Sequence, residues 1–229
     1  MKKVFIGVGH GGSDSGAVAN GFKEKDLNLS IALSCAETLN RHGVNVLLSR
    51  TTDENDAAAE EVKECNSFKP DLALDIHNNA GGGDGAEAFY HYKGGVGKTL
   101  ADNVLCEIVN IGQNSRGAKI KTNASGKDYF GFIRQTSCPA IIVECAFLDN
   151  AKDIQTIDTT AEQKAMGTAI AKGVLKTLGI TYSEPAIKQN ADQKTIYKIQ
   201  VGAYSDKAEA EAVKNAFVKI GIEASVVNG

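Results

Sequence analysis

KVFIGVGHGGSDSGA, residues 3–17, decides how this chain is read. A short apolar run stops abruptly at a glycine-rich polar stretch, which is the signature of a buried strand feeding a tight loop. His10 stands at that junction. Working outward, the same alternation returns along the chain. Leu29, Leu33, Ala36 and Leu39 fall at helical spacing and predict a helix over 25–41, with Gly43 where a C-terminal capping glycine belongs. VNVLL (44–48) reads as a strand, the Ala- and Glu-rich 55–68 as a helix, and Pro70-Asp71 as a turn. LALDI (72–76), AEAFYHY (86–92) and AIIVE (140–144, bounded by Pro139) read as strands, and 99–111 and 161–178 as helices. Strands that alternate with helices predict an α/β fold, a mostly parallel sheet with helices on both faces. In such a sheet the functional groups lie beyond the carboxyl ends of the strands.

The 229 residues are 42% hydrophobic and 23% charged, enough for one good core and a small second unit. The net charge of -3 argues against a nucleic-acid binder, which needs a basic surface. No apolar run is long enough for membrane insertion. The apolar run before His10 is too short for a signal-peptide core, so synthesis in the cytoplasm without a signal peptide is expected. Cys35, Cys65, Cys106, Cys138 and Cys145 are odd in number and none sit at CxxC spacing, which predicts buried free thiols. Residues 181–194 (TYSEPAIKQNADQK) are polar and aperiodic and read as a linker. Beyond them come a strand (TIYKIQVGAY, 195–204), a helix over 206–220 with Val213, Phe217 and Ile220 on one stripe, and a last strand (EASVV). Asp206 or Ser205 is placed to cap that helix. The expected division is therefore 1–180, a linker over 181–194, and a small βαβ unit over 195–229.

The chemistry-bearing residues cluster at the predicted strand ends. His10 follows the first strand, His77 follows 72–76, Glu144 closes 140–144, and Glu24 precedes the first helix. Two histidines and a carboxylate are a known zinc ligand set that leaves one position open. A second carboxylate can take a proton from water there. His42 is expected to stabilise a helix end, and His91 to lie at the surface or line a groove. Arg50, Arg116 and Arg134 suit either substrate contact or pairing with acids. KGGVGKT (93–99) looks like a phosphate-binding loop, but Tyr92 occupies the first glycine position of GxxxxGK[ST]. A glycine loop entering a helix is the plainer reading.

Five segments, GHGGSDSGA (9–17), FKEKDLNL (22–29), VLLSRTTDE (46–54), LDIHNNAGGG (74–83) and PAIIVECAFLDN (139–150), together resemble the zinc-dependent N-acetylmuramoyl-L-alanine amidases of cell-wall hydrolases and phage endolysins. The resemblance implies Zn²⁺ on His10, Glu24 and His77, with Glu144 as the catalytic carboxylate. It implies hydrolysis of the amide between N-acetylmuramic acid and L-alanine, with peptidoglycan, glycan strand and stem peptide, as partner. Residues 195–228 resemble one repeat of a SPOR (sporulation-related) module, which implies binding to glycan strands. Only one of that module's two βαβ halves is recognisable, so pairing of two chains in a homodimer through 195–229 is expected, with packing of this half on the first domain as the alternative. Gln200 and Tyr204 suit glycan contact or a structural role equally. Action on the wall would follow release by a holin or by lysis. A non-catalytic wall binder, a P-loop ATPase and a related zinc hydrolase with another amide substrate are the rival readings; the four intact positions argue against the first, and the wall-binding repeat argues for peptidoglycan.

Overall fold

The computed structural model describes residues 1–184, 202, 204–219 and 226. The chain divides into two units, Met1–Glu184 and Pro185–Gly229. In the first, β1 (Lys3–Val8) leads through a two-stranded hairpin, β2 (Val18–Ala19) and β3 (Phe22–Lys23), into α1 (Glu24–Arg41). Then follow β4 (Asn45–Leu48), α2 (Ala58–Phe68), β5 (Leu72–Asn79), β6 (Ala86–Tyr90) and α3 (Val96–Asn110). β7 (Ser115–Lys119), α4 (Gly131–Gln135), β8 (Ala140–Phe147) and α5 (Thr160–Leu178) complete the unit. The sheet order is β4-β1-β5-β8-β6-β7. β4, β1, β5 and β8 are mutually parallel, whereas β6 pairs antiparallel with β8 and carries β7 parallel to itself. The sheet is thus mostly parallel and covered on both faces, as the α/β alternation predicts.

Residue parity sorts the two faces, because successive side chains on a strand point to opposite sides. Val4, Ile6, Val8, Leu74, Ile76, Ile141 and Val143 join α1, α3 and α5 in the larger core. Phe5, Ala73 and Ile142 face the smaller one, with Val62 and Cys65 of α2 and Phe132 and Ile133 of α4. α5 lies close on both its neighbours through glycine: a Cβ on Gly167 would stand 2.4 Å from the Ile31 carbonyl oxygen, and one on Gly173 would stand 2.5 Å from Val104 Cα. Its N-terminus carries a full capping box, Thr159 with Glu162, and Gly179 ends it in the left-handed region.

Several expected boundaries shift. β5 continues to Asn79 and β8 to Phe147, so His77 and Glu144 lie within strands rather than at their ends. Backbone pairing between the two strands carries on past His77 and Glu144, through a register shift before Asn79. α2 begins only at Ala58. α3 begins at Val96, inside KGGVGKT, because Gly94 and Gly95 make the left-handed turn and leave Val96 free to start the helix. Lys98 of that segment pairs with Asp102 one turn on, at 2.7 Å. The loop follows β6, which runs opposite to β8, so it leaves the sheet at the edge away from the carboxyl ends of β1, β5 and β8. β7, α4 and the β2–β3 hairpin carry too little periodicity to be read from sequence.

All five cysteines are free, but only Cys35, Cys65 and Cys145 are buried; Cys106 is exposed and Cys138 half-buried. Among the described residues Cys106 lies on an uncovered face of α3, which periodicity alone does not reveal. His42 closes α1, its Nδ1 2.7 Å from the Thr38 carbonyl oxygen, and its other nitrogen accepts from the Ser183 N–H. In the second unit α6 (Lys207–Lys219) is described, and Asp206 Oδ1 accepts from the Ala208 N–H, the expected cap. Tyr204 is partly exposed. The strands expected at 195–204 and 223–227, with Gln200 and Ile220, fall outside the described residues apart from Gly202, Tyr204 and Val226. Among the described residues no helix is long and apolar enough to cross a membrane.

Candidate metal centre

Three adjacent parallel strands bring the site together. β1 ends at Val8 and delivers His10 two residues later, β5 carries His77, and β8 carries Glu144. His77 and Glu144 are partners in the register of β5 with β8. Glu24 arrives from the other side as the first residue of α1. His10 has a φ of 63°, a left-handed conformation that a non-glycine residue holds only under constraint. The constraint is visible: Gly11 and Asp14 exchange backbone hydrogen bonds, and the loop is tied from behind by residues 50–55. Lys25 Nζ donates to the Gly12 carbonyl and to Asp53, and Asp53 accepts from the Gly12 N–H at 2.8 Å.

Arg50, left open between substrate contact and acid pairing, has neither role. Its side chain is only 2% exposed and donates to the carbonyl oxygens of Val8, Gly9, Lys25 and Thr52. It pins the end of β1 to the first turn of α1. Arg134 likewise donates to the backbone oxygens of Asp128 and Tyr129. His91 sits 3.1 Å from the Asp128 carboxylate and stacks on Tyr92, away from the three ligand candidates.

One donor atom from each of His10, Glu24 and His77 lies within 4.8 Å of the others. Glu24 bridges the two rings: Oε2 is 3.2 Å from His10 Nε2 and Oε1 is 3.0 Å from His77 Nδ1. Each ring's remaining nitrogen faces a second carboxylate, His10 Nδ1 to Asp14 at 2.8 Å and His77 Nε2 to Asp75 at 3.2 Å. A carboxylate behind each imidazole fixes its tautomer and plane, the usual outer arrangement of a histidine that ligates a metal. Gly16 closes the cradle; with φ at +59°, a Cβ there would stand 2.6 Å from Glu24 Oε2 and from His10 Cδ2. Asn28 ties the parts together, donating to the Gly9 carbonyl while accepting from Asn78. These residues fit a divalent ion with nitrogen and oxygen preference.

The electrostatics agree. Burial opposes ionisation of Glu24, yet its hydrogen bonds with His10 and His77 hold the carboxyl well below its usual range. Glu144 goes the other way: burial pushes it to about 7, helped by Glu24, Asp75 and Glu87 and opposed by His77. Its Oε2 is buried without a hydrogen-bond partner. The two carboxylates are thus shifted in opposite directions within one cluster.

Sequence reasoning misses Asp14, Asp75, Asn28 and Asn78. Asp14 is four residues after His10, Asn28 one turn after Glu24, and Asp75 two residues before His77 on the same strand face. Those spacings become a usable signal once the ligands are suspected.

Behind Asp75 lies Glu61 of α2. A Cβ on Gly7 would stand 1.9 Å from Glu61 Oε1 and 2.8 Å from Asp75 Oδ1, and both oxygens are buried without partners. Burial, then Asp75, raises the Glu61 carboxyl well above its usual range. A raised acid stabilises the fold at low pH and loses that contribution as pH rises through the folded value. Glu61→Gln is expected to raise the melting temperature at pH 8, a gain of about 1–3 kcal/mol that fades towards pH 4. Thermal melts at the two pH values check this; a loss at pH 8 would contradict it.

Residues 4–176 match the family model described as N-acetylmuramoyl-L-alanine amidase, and residues 168–228 match the SPOR domain model. The second match begins inside α5, upstream of the boundary expected at 195. The chain is 33% identical to N-acetylmuramoyl-L-alanine amidase CwlM of Bacillus licheniformis, over 99% of this chain and 85% of that protein. It is 30% identical to the sporulation-specific N-acetylmuramoyl-L-alanine amidase of Bacillus subtilis, with the same two coverages of 99% and 85%. The solved catalytic domain of the amidase CwlV from Bacillus (Paenibacillus) polymyxa var. colistinus superimposes with a TM-score of 0.71 at 29% identity, covering 79% of this chain and all 100% of that one. With its sheet, its histidine-and-carboxylate cluster and these matches in agreement, the chain belongs to the N-acetylmuramoyl-L-alanine amidase family, the enzymes that hydrolyse the amide joining the glycan of peptidoglycan to its stem peptide.

Proposed function

We propose that His10, Glu24 and His77 hold Zn²⁺ and that Glu144 is the general base and acid of the amide hydrolysis. The observation that carries this reading is the half-buried Glu144, whose Oε2 is buried without a hydrogen-bond partner and which stands in register with His77 across β8 and β5. Zinc, when bound, supplies Lewis-acid polarisation of the scissile carbonyl and lowers the pKa of water at the site. Asp14 and Asp75 hold the two imidazoles in the tautomers that ligation needs. Glu144 accepts the proton from the attacking water. As the carbon–nitrogen bond breaks, it passes that proton to the departing alanine nitrogen, which leaves as an amine. The products are a lactyl carboxylate on the glycan and a free N-terminal L-alanine on the peptide. A carboxyl raised to about 7 suits both halves of this transfer near neutral pH.

Within the proposal, residues 1–180 are the catalytic part, 181–194 connect, and 195–229 hold the enzyme on glycan strands. The SPOR match supports the last assignment. Peptidoglycan is then both substrate and anchor, and the site of action is the cell wall.

Purified walls should lose turbidity and release N-terminal alanine without new reducing sugar. A chelator should abolish the release and added zinc should restore it. Metal-replete protein that releases reducing sugar, or nothing, would sink the reading.

A further inference from the structure

Glu87 stands opposite Glu144 in the antiparallel pairing of β6 with β8, so His77, Glu144 and Glu87 form one row across three strands. Neighbours in such a row are about 5 Å apart between Cα atoms. Glu87 is buried, and its Oε2 accepts from Arg116 Nε at 2.8 Å and from the Lys119 ammonium as well. Burial works against its charge, but Lys119 and Arg116 hold it below the usual carboxylate range. One carboxylate thus carries two cations, and the trio keeps a surplus positive charge.

Both cations are open to solvent, with side-chain exposures of 38% for Arg116 and 35% for Lys119. The guanidinium carbon lies over the Phe147 ring, 5.1 Å from its centroid. Only Nε is engaged by Glu87; the two terminal nitrogens make no hydrogen bond among the described residues. A guanidinium placed over an aromatic ring and anchored at Nε presents a free fork, the geometry that takes a carboxylate in two parallel hydrogen bonds. Gly117, opposite Glu87 on β7, adds no side chain to the row.

We propose that Arg116 and Lys119 form an anion-recognition edge beside Glu144 that binds a carboxylate of the stem peptide, one residue beyond the scissile amide. The inference rests on the amidase reading. It selects the peptide over the glycan because hydroxyl and acetamido groups carry no charge to match the surplus. The second stem residue is joined to the third through its side chain, so its α-carboxyl is either a free carboxylate or a neutral amide. The edge then sets a preference between those two wall chemistries.

The test uses the full chain, loaded with zinc, and two muramoyl peptides that differ only in a free or amidated carboxyl at the second residue. Wild type is expected to cleave the free acid with a kcat/KM about 10- to 100-fold higher, the range of charge-assisted hydrogen bonds. Arg116→Gln should bring the ratio close to one, chiefly through KM for the acid. Lys119→Gln, which leaves the Arg116–Glu87 bond in place, should reduce the ratio in part. A wild type that shows no preference, or favours the amide, overturns the proposal. So does an equal loss on both substrates in the two variants, which marks a structural role. Failure of wild type to cleave either peptide while holding zinc would instead overturn the amidase reading beneath it.

Discussion

Glu144→Gln is expected to slow alanine release by about 10²–10⁴-fold, the span that proton transfer by a positioned group supplies, while zinc content stays at the wild-type level. Glutamine keeps the shape of the side chain but can neither take the water proton nor return it to the leaving nitrogen. An amine expelled without a proton is a very poor leaving group, so both halves of the reaction suffer. The variant should also fold. Glu144 Oε2 is buried without a hydrogen-bond partner, so a glutamine of the same shape breaks no bond there. A melting temperature at pH 8 no lower than wild type, beside the lost rate, assigns the effect to chemistry. A variant with near wild-type rates would remove Glu144 from the mechanism, and one that loses zinc would make it a ligand.

His77→Ala is expected to lose both metal and activity. The ring lies between Glu24 and Asp75, within hydrogen-bond distance of each. Its removal deletes a ligand and leaves two carboxylates facing a void, with Glu61 and Glu144 nearby. The fall in zinc affinity should exceed the roughly 10–100-fold that follows loss of an outer-shell partner. Metal analysis after dialysis, with alanine release on the same samples, checks it. A variant that keeps stoichiometric zinc would place the ion elsewhere. Together the two substitutions separate holding the ion from moving the proton.

His10, Glu24, His77 and Glu144 are all legible in the amino-acid sequence. Each sits where an apolar run ends or a helix opens, and the five ordered segments around them identify the family. The groups that make those four side chains usable are not legible there. Asp14 and Asp75 orient the imidazoles, Asn28 and Asn78 lock α1 to the sheet, and Arg50 anchors the loop that strains His10. Arg50 resembles a substrate-binding cation in sequence because a lone arginine in a polar segment looks exposed. In the fold its planar fork instead meets buried carbonyl oxygens from three segments.

The strand pattern is silent at one place. AEAFYHY reads as a strand with no direction of its own; in the fold β6 runs against β8 and brings β7 with it. Direction is set by how the connecting segment crosses the sheet, and local residue choice is silent on that. The reversal matters to function. It moves KGGVGKT to the far edge and brings Glu87, with its two cations, beside Glu144.

The sequence by itself determined the fold class and the family and singled out the four candidate site residues, because hydrophobic period and short motifs are local properties of the chain. Tertiary structure alone decided which carboxylates face which rings, which arginine is buried, and which cations join Glu87 beside Glu144. Those depend on strand register and direction, which bring together residues tens of positions apart and leave no mark on either segment taken alone.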